Sequence, residues 1–489
     1  MKRIILHIAL FFILAWPFGL QADDNVPLLP SEGELQLIQL INESRRQPLA
    51  VAESYGKTST QAIVDFPELS GILEIGLKPL STHQSLLGSA LAHAKDMLEN
   101  NYYSKSSRDG SSPLDRMETY GYIAAQGNSL LGMLAFRNYM DEAKAIRLIF
   151  RTMFLDELDP EYAERRCILD PTFTDIGVSV KTGQWEINNE ILNIYMVVCD
   201  FGATAINDAE ATLMVLINQA RRYPIQQMRA LEIEPSAAFS AVPYLPEYTT
   251  SGMPPVIMDK KLYWTANSHG WEMLDMDYLS SESLEGLTPE QRIMKSGYPA
   301  QTAGEVYRSL STTNPIEASI STGVHFERLL KRELDPKYSK ESIILNPVFR
   351  DAGPSVILSA PVAQPDDDEA SLFDKYFVNI LVCDFASKAT DDQHGGVYGW
   401  VYSDMNLNGL FDPGEGISRA SVKLKDVSGK LIFDSFADSV GGFHVKLCPG
   451  EYLVTVDDGN EKIGRRVNVT DTFLSIPVRV IPDSDELLN

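Results

Sequence analysis

The chain has 489 residues, of which 44% are apolar, and its formal net charge at pH 7 is −25. This length is sufficient for about three domains, each with its own core. The acidic balance argues against binding to nucleic acid or, by simple electrostatics, to anionic lipid. Four cysteines are too few for a disulfide scaffold.

Residues 1–22 have the pattern of a secretory signal peptide. Lys2 and Arg3 precede an apolar run over residues 4–16, and the segment LQA ends at Ala22, after which cleavage is predicted. An uncleaved anchor is the alternative, although a run this short makes a poor membrane span. No later stretch is long and apolar enough to cross a bilayer. We therefore expect a secreted or periplasmic mature chain without a transmembrane segment.

The mature sequence repeats itself with a spacing of 176 residues. LINESRRQP starting at Leu40 returns as LINQARRYP starting at Leu216. ELDPEYAERRCILDPTFTDIG starting at Glu157 returns as ELDPKYSKESIILNPVFRDAG starting at Glu333. Self-similarity at a fixed spacing predicts two consecutive copies of one domain.

Each copy has helical patterns followed by strand patterns. Apolar spacing predicts a helix over residues 34–51 and an amphipathic helix over residues 85–100. The copies end in ILNIYMVVCDF and YFVNILVCDF, which are β-branched and aromatic, as buried strands are. Cys199 and Cys383 are 184 residues apart, and the excess predicts a longer hairpin loop at residues 364–371. The predicted class is α+β, with domains at residues 23–204 and 205–389.

These motifs resemble the CAP superfamily in its bacterial SCP-like form. The family pattern contains LxNxxR, hxxDM, FSHxSxDGxxPxxR, GEN and SPGHRxNIL. The first copy reads LINESRR, HAKDM, YYSKSSRDGSSPLDR, GNS and EYAERRCIL, and the second reads LINQARR, HGWEM, YLSSESLEGLTPEQR, GEV and KYSKESIIL. The resemblance implies two tandem α/β/α sandwiches, each with a cleft that can hold a divalent metal or act as acid and base.

Both copies depart from the family at the cleft. The three matching positions read Lys105, Asn128 and Glu164 in the first copy and Ser281, Glu305 and Lys340 in the second. Zinc needs three or four protein ligands, and a solitary carboxylate is a poor general base near neutral pH. We therefore predict no catalytic residues. The alternative is a hydrolase that uses Glu305 with Glu341, or with Glu164 and Arg165.

Two kinds of residue invite a functional interpretation without having a partner in the sequence. His93 and His269 occupy equivalent positions on the hxxDM helix, and we predict packing or a helix-to-strand hydrogen bond for them. Cys167 is matched by Ile343, which favours a small core hydrophobe. A Cys167–Cys199 disulfide stays open, because sequence does not give the Cα separation.

Residues 390–489 consist of short alternating runs separated by glycine, proline and aspartate, which predicts a small antiparallel β-sandwich. Within it, DMNLNGLFDPGE has oxygen ligands at the spacing of a calcium loop. The ligand positions are Asp404, Asn406, Asn408, Leu410 through its backbone carbonyl, Asp412 and Glu415. A surface turn is the alternative, since the same residue types dominate turns.

The segment from Gly399 to Gly429 resembles the calcium-binding B repeat of Sdr-type surface adhesins and related prealbumin-like modules. The resemblance implies bound Ca²⁺ that stiffens a β-module, because the loop joins strands rather than helices. The whole sequence thus predicts a secreted noncatalytic protein that binds a protein, glycan or lipid ligand. A hydrolase or lipid-binding protein with a degenerate cleft is the alternative. The short joint at residues 203–209 predicts direct packing between the two copies.

Overall fold

The computed structural model describes residues 27–58, 62, 69–138, 140–159, 166–187, 189–337, 342–361, 371–388 and 395–481. The predicted signal peptide lies outside the described residues. Three parts follow one another along the chain. We call residues 27–204 the first helix-sheet unit, residues 205–388 the second helix-sheet unit and residues 395–481 the β unit.

The first helix-sheet unit alternates helices and strands. Its described helices are α1 (Glu32–Arg46), α2 (Pro48–Ser54), α3 (Ser70–Ile75), α4 (Gln84–Asn100), α5 (Pro113–Thr119) and α6 (Glu142–Glu157). Its strands are β1 (Ser81–Thr82), β2 (Ala124–Phe136), β3 (Asp175–Ile187) and β4 (Glu190–Thr204). They form a sheet of order β1-β3-β4-β2, in which only β1 and β3 run parallel.

The single helix predicted over residues 34–51 is wrong, because the segment forms α1 and α2. Ser31 begins α1 in a capping box with Glu34, whose backbone N–H donates to the Ser31 hydroxyl at 3.2 Å. Pro48 begins α2, since proline lacks an N–H group and fits the first helical turn. The helix predicted over residues 85–100 is confirmed as α4.

Helices cover both faces of this sheet. The odd-numbered residues of β4 from 195 to 201 belong to a core shared with α1 and α6. The even-numbered residues from 194 to 198 belong to a second core shared with α4. Successive side chains of a strand point to opposite faces, so one strand serves both cores.

The second helix-sheet unit has the same arrangement. Its described helices are α7 (Asp208–Arg222), α8 (Pro224–Ala230), α9 (Pro235–Ala241), α10 (Lys260–Asp275), α11 (Pro289–Lys295), α12 (Ala318–Glu333) and α13 (Leu372–Lys375), with a 3₁₀ turn at Leu245–Tyr248. Its strands are β5 (Ile257–Met258), β6 (Ala300–Thr312), β7 (Asp351–Ser359) and β8 (Phe377–Lys388), in the order β5-β7-β8-β6. The connection from β7 to β8 runs from residue 360 to 376, against 188 to 189 for β3 to β4, and the predicted longer loop falls there. Residues 362–370 lie outside the described part.

An arginine organises each unit in the same way. Arg45 at the end of α1 donates to the backbone carbonyls of Lys78, Ile168, Asp170 and Phe173 at 2.7–3.3 Å. Arg221 at the end of α7 donates to those of Pro254, Ile344, Asn346 and Phe349 at 2.8–3.1 Å. Burial lowers the pKa of Arg45 to about 10 and that of Arg221 to about 9. The arginine of the LxNxxR motif therefore joins a helix to two loops.

The β unit consists of two sheets. Its strands are β9 (Gly395–Ser403), β10 (Ser421–Asp426), β11 (Leu431–Phe436), β12 (Gly442–Leu447), β13 (Gly450–Asp457), β14 (Lys462–Val469) and β15 (Phe473–Val480). One sheet has the order β11-β10-β13-β14 and the other β12-β9-β15, and apolar residues of both form one cluster. The wholly antiparallel arrangement predicted from sequence is wrong at one pair, because β15 runs parallel to β9.

Strand β9 is buried on both faces. Val397 and Val401 belong to the core between the two sheets of the β unit. Tyr398, Trp400 and Tyr402 point the other way and belong to the core of the second helix-sheet unit. The side chain of Trp400 is fully buried. The β unit and the second helix-sheet unit therefore share a continuous hydrophobic core, as permanent interfaces do.

The β unit also binds the first helix-sheet unit, through polar contacts at the edge of its sheet. The backbone N–H of Thr82 donates to Ser435 Oγ at 2.9 Å, and Thr82 Oγ1 donates to the Asp434 carbonyl at 2.7 Å. The two helix-sheet units contact each other where Lys260 Nζ donates to the Glu118 carbonyl at 2.9 Å. The predicted contact between the copies is thus accompanied by a bridge through the β unit.

The cysteines carry no disulfide in the described residues. Cys167, Cys199 and Cys383 are buried free thiols and Cys448 is exposed. Cys167 and Cys199 both belong to the core of the first helix-sheet unit, which confirms the interpretation of Cys167 as a core residue. Within the same part of the chain, no helix has the length and apolar character needed to cross a membrane.

Candidate functional site

The first helix-sheet unit has a cation and an amide at two of the predicted cleft positions. Lys105 Nζ donates to Asn128 Oδ1 at 3.1 Å. Arg116 lies beside them and donates to the Lys105 carbonyl at 2.7 Å. Glu164, the third position, lies outside the described residues, as do Arg165, Lys340 and Glu341. Neither Lys105 nor Asn128 offers a carboxylate or an imidazole.

Strand register corrects the match between Asn128 and Glu305. Glu305 on β6 lies opposite Asp384 on β8, and the residue opposite Asp200 on β4 is Ser129. Asp200 and Asp384 both follow the terminal cysteine of their unit, so Ser129 is the counterpart of Glu305. Matching the triplets GNS and GEV by their glycines places the match one residue too early.

Glu305 is not an exposed cleft carboxylate. Its side chain is fully buried, and Oε2 contacts both His269 Nδ1, at 2.9 Å, and Arg292 Nη2. Asp384 lies opposite in the sheet, and neither of its carboxylate oxygens receives a hydrogen bond from the described residues. Burial, followed by the charge of Glu305, raises the pKa of Asp384 well above its usual value. This cluster is an internal ion pair next to a carboxyl group that resists ionisation.

The first helix-sheet unit solves the same position with hydroxyl groups. Ser129 Oγ donates to Asp200, and Ser89 Oγ donates to the other carboxylate oxygen of Asp200 at 2.6 Å. Arg116 Nη2 reaches Ser129 Oγ at 3.1 Å. Both units therefore pair a buried aspartate with an arginine, but only the second inserts a glutamate between them.

The two equivalent histidines have different partners. His269 on α10 bonds Glu305 on β6, which confirms the helix-to-strand hydrogen bond predicted for it. His93 on α4 instead bonds the Ser104 carbonyl at 2.8 Å, and burial lowers its pKa to about 4. A third histidine, His83, contacts His444 across the boundary with the β unit, with ring centroids 6.2 Å apart. Sequence spacing does not reveal that pair, because 361 residues separate them.

The predicted calcium loop is a compact set of oxygen-bearing side chains. Asp404 is buried, and its two oxygens accept from the backbone N–H groups of Asn408 at 3.1 Å and Gly409 at 2.9 Å. The amide nitrogens of Asn406 and Asn408 both lie 2.7 Å from Asp412 Oδ2. These contacts wrap the chain around Asp404, with Gly409 in the left-handed conformation that the turn requires.

Glu415 closes the loop from its far end. Its two oxygens accept from the backbone N–H groups of Met405 and Asp412, each at 2.9 Å. Burial, and then the nearby charges of Asp412 and Asp404, raise its pKa. Carboxylate, amide and carbonyl oxygens are the ligands that Ca²⁺ prefers, so the donor set fits that ion.

A protein cation already occupies one oxygen of the loop. Arg479 Nε on β15 forms an ion pair with Asp404 Oδ2. In the described part of the chain, no three His, Cys, Asp or Glu side chains are arranged to hold a metal ion. The loop carboxylates are instead held by backbone N–H groups and by Arg479. Calcium binding therefore stays a prediction for Asp404, Asn406, Asn408, Leu410, Asp412 and Glu415.

Comparison with known families identifies the first of the three parts. Residues 39–201 match the model of CAP, the cysteine-rich secretory protein family. The matched residues run from α1 into β4, so the first helix-sheet unit is a CAP/SCP domain. No curated protein gives a significant match.

Two solved structures are similar to parts of the chain. One is an extracellular protein containing a SCP domain from Bacillus anthracis str. Ames, with 16% identity, a TM-score of 0.21 and coverage of 35% of this chain and 40% of that one. The other is an outer surface protein from Borrelia burgdorferi, with 14% identity, a TM-score of 0.21 and coverage of 37% and 99%. The chain thus spans less than half the length of the first structure. Neither likeness bears on function.

Proposed function

We propose that this protein is a secreted, noncatalytic binding protein. Its parts are two CAP-type domains, at residues 23–204 and 205–389, and a calcium-stabilised prealbumin-like β-sandwich at residues 390–489. The signal-peptide pattern over residues 1–22 supports export. The ligand is a protein, glycan or lipid outside the cell.

The assignment of the second CAP-type domain is supported by its internal geometry. Both helix-sheet units have the same strand order, with one short parallel edge strand. Both use an equivalent buried arginine, Arg45 or Arg221, to hold three consecutive stretches of backbone. Sequence similarity at a spacing of 176 residues supports the same duplication.

The burial of Glu305 is the single observation that carries the noncatalytic assignment. A general base must come within hydrogen-bond reach of its substrate, and a metal ligand needs partners. The Glu305 side chain is fully buried and its Oε2 is engaged by Arg292 and His269. In the other unit Ser129 replaces it. Neither unit therefore presents the acid, base or ligand set that the CAP resemblance implies.

The β unit supports a role as a rigid brace rather than a flexible tether. It shares a hydrophobic core with the second helix-sheet unit through Tyr398, Trp400 and Phe411, and hydrogen bonds with the first through Thr82. Such contacts fix the relative orientation of the two CAP-type domains, so that a ligand can engage both. Calcium in the loop would stiffen this brace.

Calcium titration of the mature chain by calorimetry, with thermal melts, tests the proposal. We expect one site per chain and a higher melting temperature with calcium. Both should be lost in Asp404→Ala/Glu415→Ala and kept in the control Glu451→Ala/Asp471→Ala, which changes exposed acids outside the loop. Binding that persists in the loop variant would reject the calcium assignment. Peptidase or esterase activity that disappears in Glu305→Gln would reject the noncatalytic assignment.

A further inference from the structure

The second helix-sheet unit contains a cavity of about 290 Å³ at one end of its sheet. We call it the end cavity. Its walls include Leu310 and Thr312 of β6, Leu358 of β7, and Phe377 and Asn379 of β8. Leu310 lies five residues beyond Glu305, or about 17 Å along an extended strand. The end cavity is therefore separate from the cleft positions discussed above.

The first helix-sheet unit fills the equivalent space with two aromatic rings. In its sheet Phe136 pairs with Asn193 and Leu134 with Tyr195, whereas in the second unit Thr312 pairs with Phe377 and Leu310 with Asn379. Thr312 therefore stands where the first unit has Phe136, and Asn379 where it has Tyr195.

The rings of Phe136 and Tyr195 stack, with centroids 5.2 Å apart and planes at 20°. The Tyr195 hydroxyl donates to the Met140 carbonyl at 3.1 Å. Two large-to-small exchanges between the units thus coincide with the end cavity. Protein interiors are otherwise packed as densely as organic crystals, and an empty space of this size is uncommon.

One polar group in the end cavity lacks a partner. Asn379 is 5% exposed, and its Nδ2 donates to Ser321 Oγ. Its Oδ1 accepts no hydrogen bond from the described residues. A buried acceptor without a donor costs free energy, which a ligand that supplies a donor would recover.

The end cavity has no charged group among its described lining residues. A charged ligand would lose its hydration without gaining an opposite charge. The remaining walls are mainly apolar and include Pro315, Ile316 and Val378. The lining therefore selects for an uncharged molecule with an apolar body and a single donor.

We propose that the end cavity binds a small uncharged aromatic or alicyclic alcohol. The ring lies between Leu310, Leu358 and Phe377, and the hydroxyl donates to Asn379 Oδ1. The Tyr195 side chain, which is a phenol, occupies the matching place in the first unit. This inference rests on the proposed binding function and names a class of ligand for one of its domains.

Titration of 4-methylphenol, the tyrosine side chain as a free molecule, into the full mature chain is the test. We expect one site with a dissociation constant on the order of 10⁻⁴ to 10⁻³ M, as suits so small a ligand. Asn379→Tyr/Thr312→Phe, which restores the residues of the first unit, should abolish binding and raise the melting temperature. Binding that is unchanged in this variant, or absent from the folded wild type, overturns the proposal.

Two further measurements keep the test independent of the folding of one variant. Asn379→Leu should weaken 4-methylphenol about tenfold and leave toluene, which has no hydroxyl, nearly unchanged. The anion 4-methylbenzoate should not bind the wild type. Equal binding of 4-methylphenol and toluene to the wild type would overturn the role of Asn379. Failure here leaves the calcium and activity results intact, so it is distinguishable from failure of the proposed function.

Discussion

Gln219 and Phe411 are joined by two hydrogen bonds across a domain boundary. Gln219 Nε2 on α7 donates to the Phe411 carbonyl at 2.9 Å, and the Phe411 N–H donates to Gln219 Oε1 at 2.6 Å. Both residues are almost fully buried. Phe411 lies between Leu410 and Asp412, two of the predicted calcium ligands. The loop is thus part of the interface between the β unit and the second helix-sheet unit.

Gln219→Ala should destabilise the protein and weaken calcium binding. The change leaves the N–H and carbonyl groups of Phe411 buried without partners, at about 1–3 kcal/mol each. Thermal melts and calcium calorimetry measure the two effects. The control is Glu43→Ala, at the equivalent position in the first unit, where Glu43 forms an exposed ion pair with Arg46. We expect the control to change stability by less than about 0.5 kcal/mol. Equal losses in both variants would contradict the role of the interface.

Arg479→Gln should increase calcium affinity by up to about fivefold, the equivalent of roughly 1 kcal/mol. Arg479 pairs with Asp404 and competes with a metal cation for the same oxygen. The melting temperature without calcium should fall, because Asp404 then lacks its counter-charge. Arg466→Gln, an exposed arginine on β14, is the control. A tenfold loss of calcium affinity in Arg479→Gln would mean that Arg479 orients Asp404 for the metal instead.

Asp384→Asn should make the protein more stable at pH 8 than the wild type, with a difference that shrinks toward pH 5. Burial and the charge of Glu305 raise the pKa of Asp384 in the folded chain. The folded state therefore keeps a proton that the unfolded state releases, and wild-type stability falls as pH rises above the unfolded pKa. The slope from one proton is at most about 1.4 kcal/mol per pH unit.

Melting temperatures from pH 5 to pH 8 measure this effect. Asp471→Asn changes an exposed carboxyl group and serves as the control, with the pH dependence of the wild type expected. If Asp384→Asn kept the full wild-type slope, the proton would reside elsewhere in the cluster.

Arg221→Lys should cost more than about 4 kcal/mol, the range of lost buried networks. Lysine has one nitrogen and cannot reach the four carbonyls that Arg221 satisfies. Urea unfolding followed by tryptophan fluorescence measures the loss, with the exposed Arg229→Lys as control. A loss below about 1 kcal/mol would show that water replaces the guanidinium.

Local sequence patterns predicted the features that depend on nearby residues. The 176-residue spacing predicted the repeated strand order, and the amphipathic pattern over residues 85–100 predicted α4. The break between α1 and α2 was also readable, because Pro48 fits the first turn of a helix better than its interior. Alternating apolar runs predicted the strands of the β unit.

Tertiary structure alone decided what each candidate residue can do. The sequence by itself determined that Glu305 is present and that its family partners are absent. Strand pairing then put Asp384 opposite it, and packing closed both from solvent between Arg292 and His269. Likewise the sequence determined the spacing of the calcium loop, but only the fold brought Arg479 and Gln219 to it. Burial and charge pairing depend on residues distant in the chain, which no local pattern records.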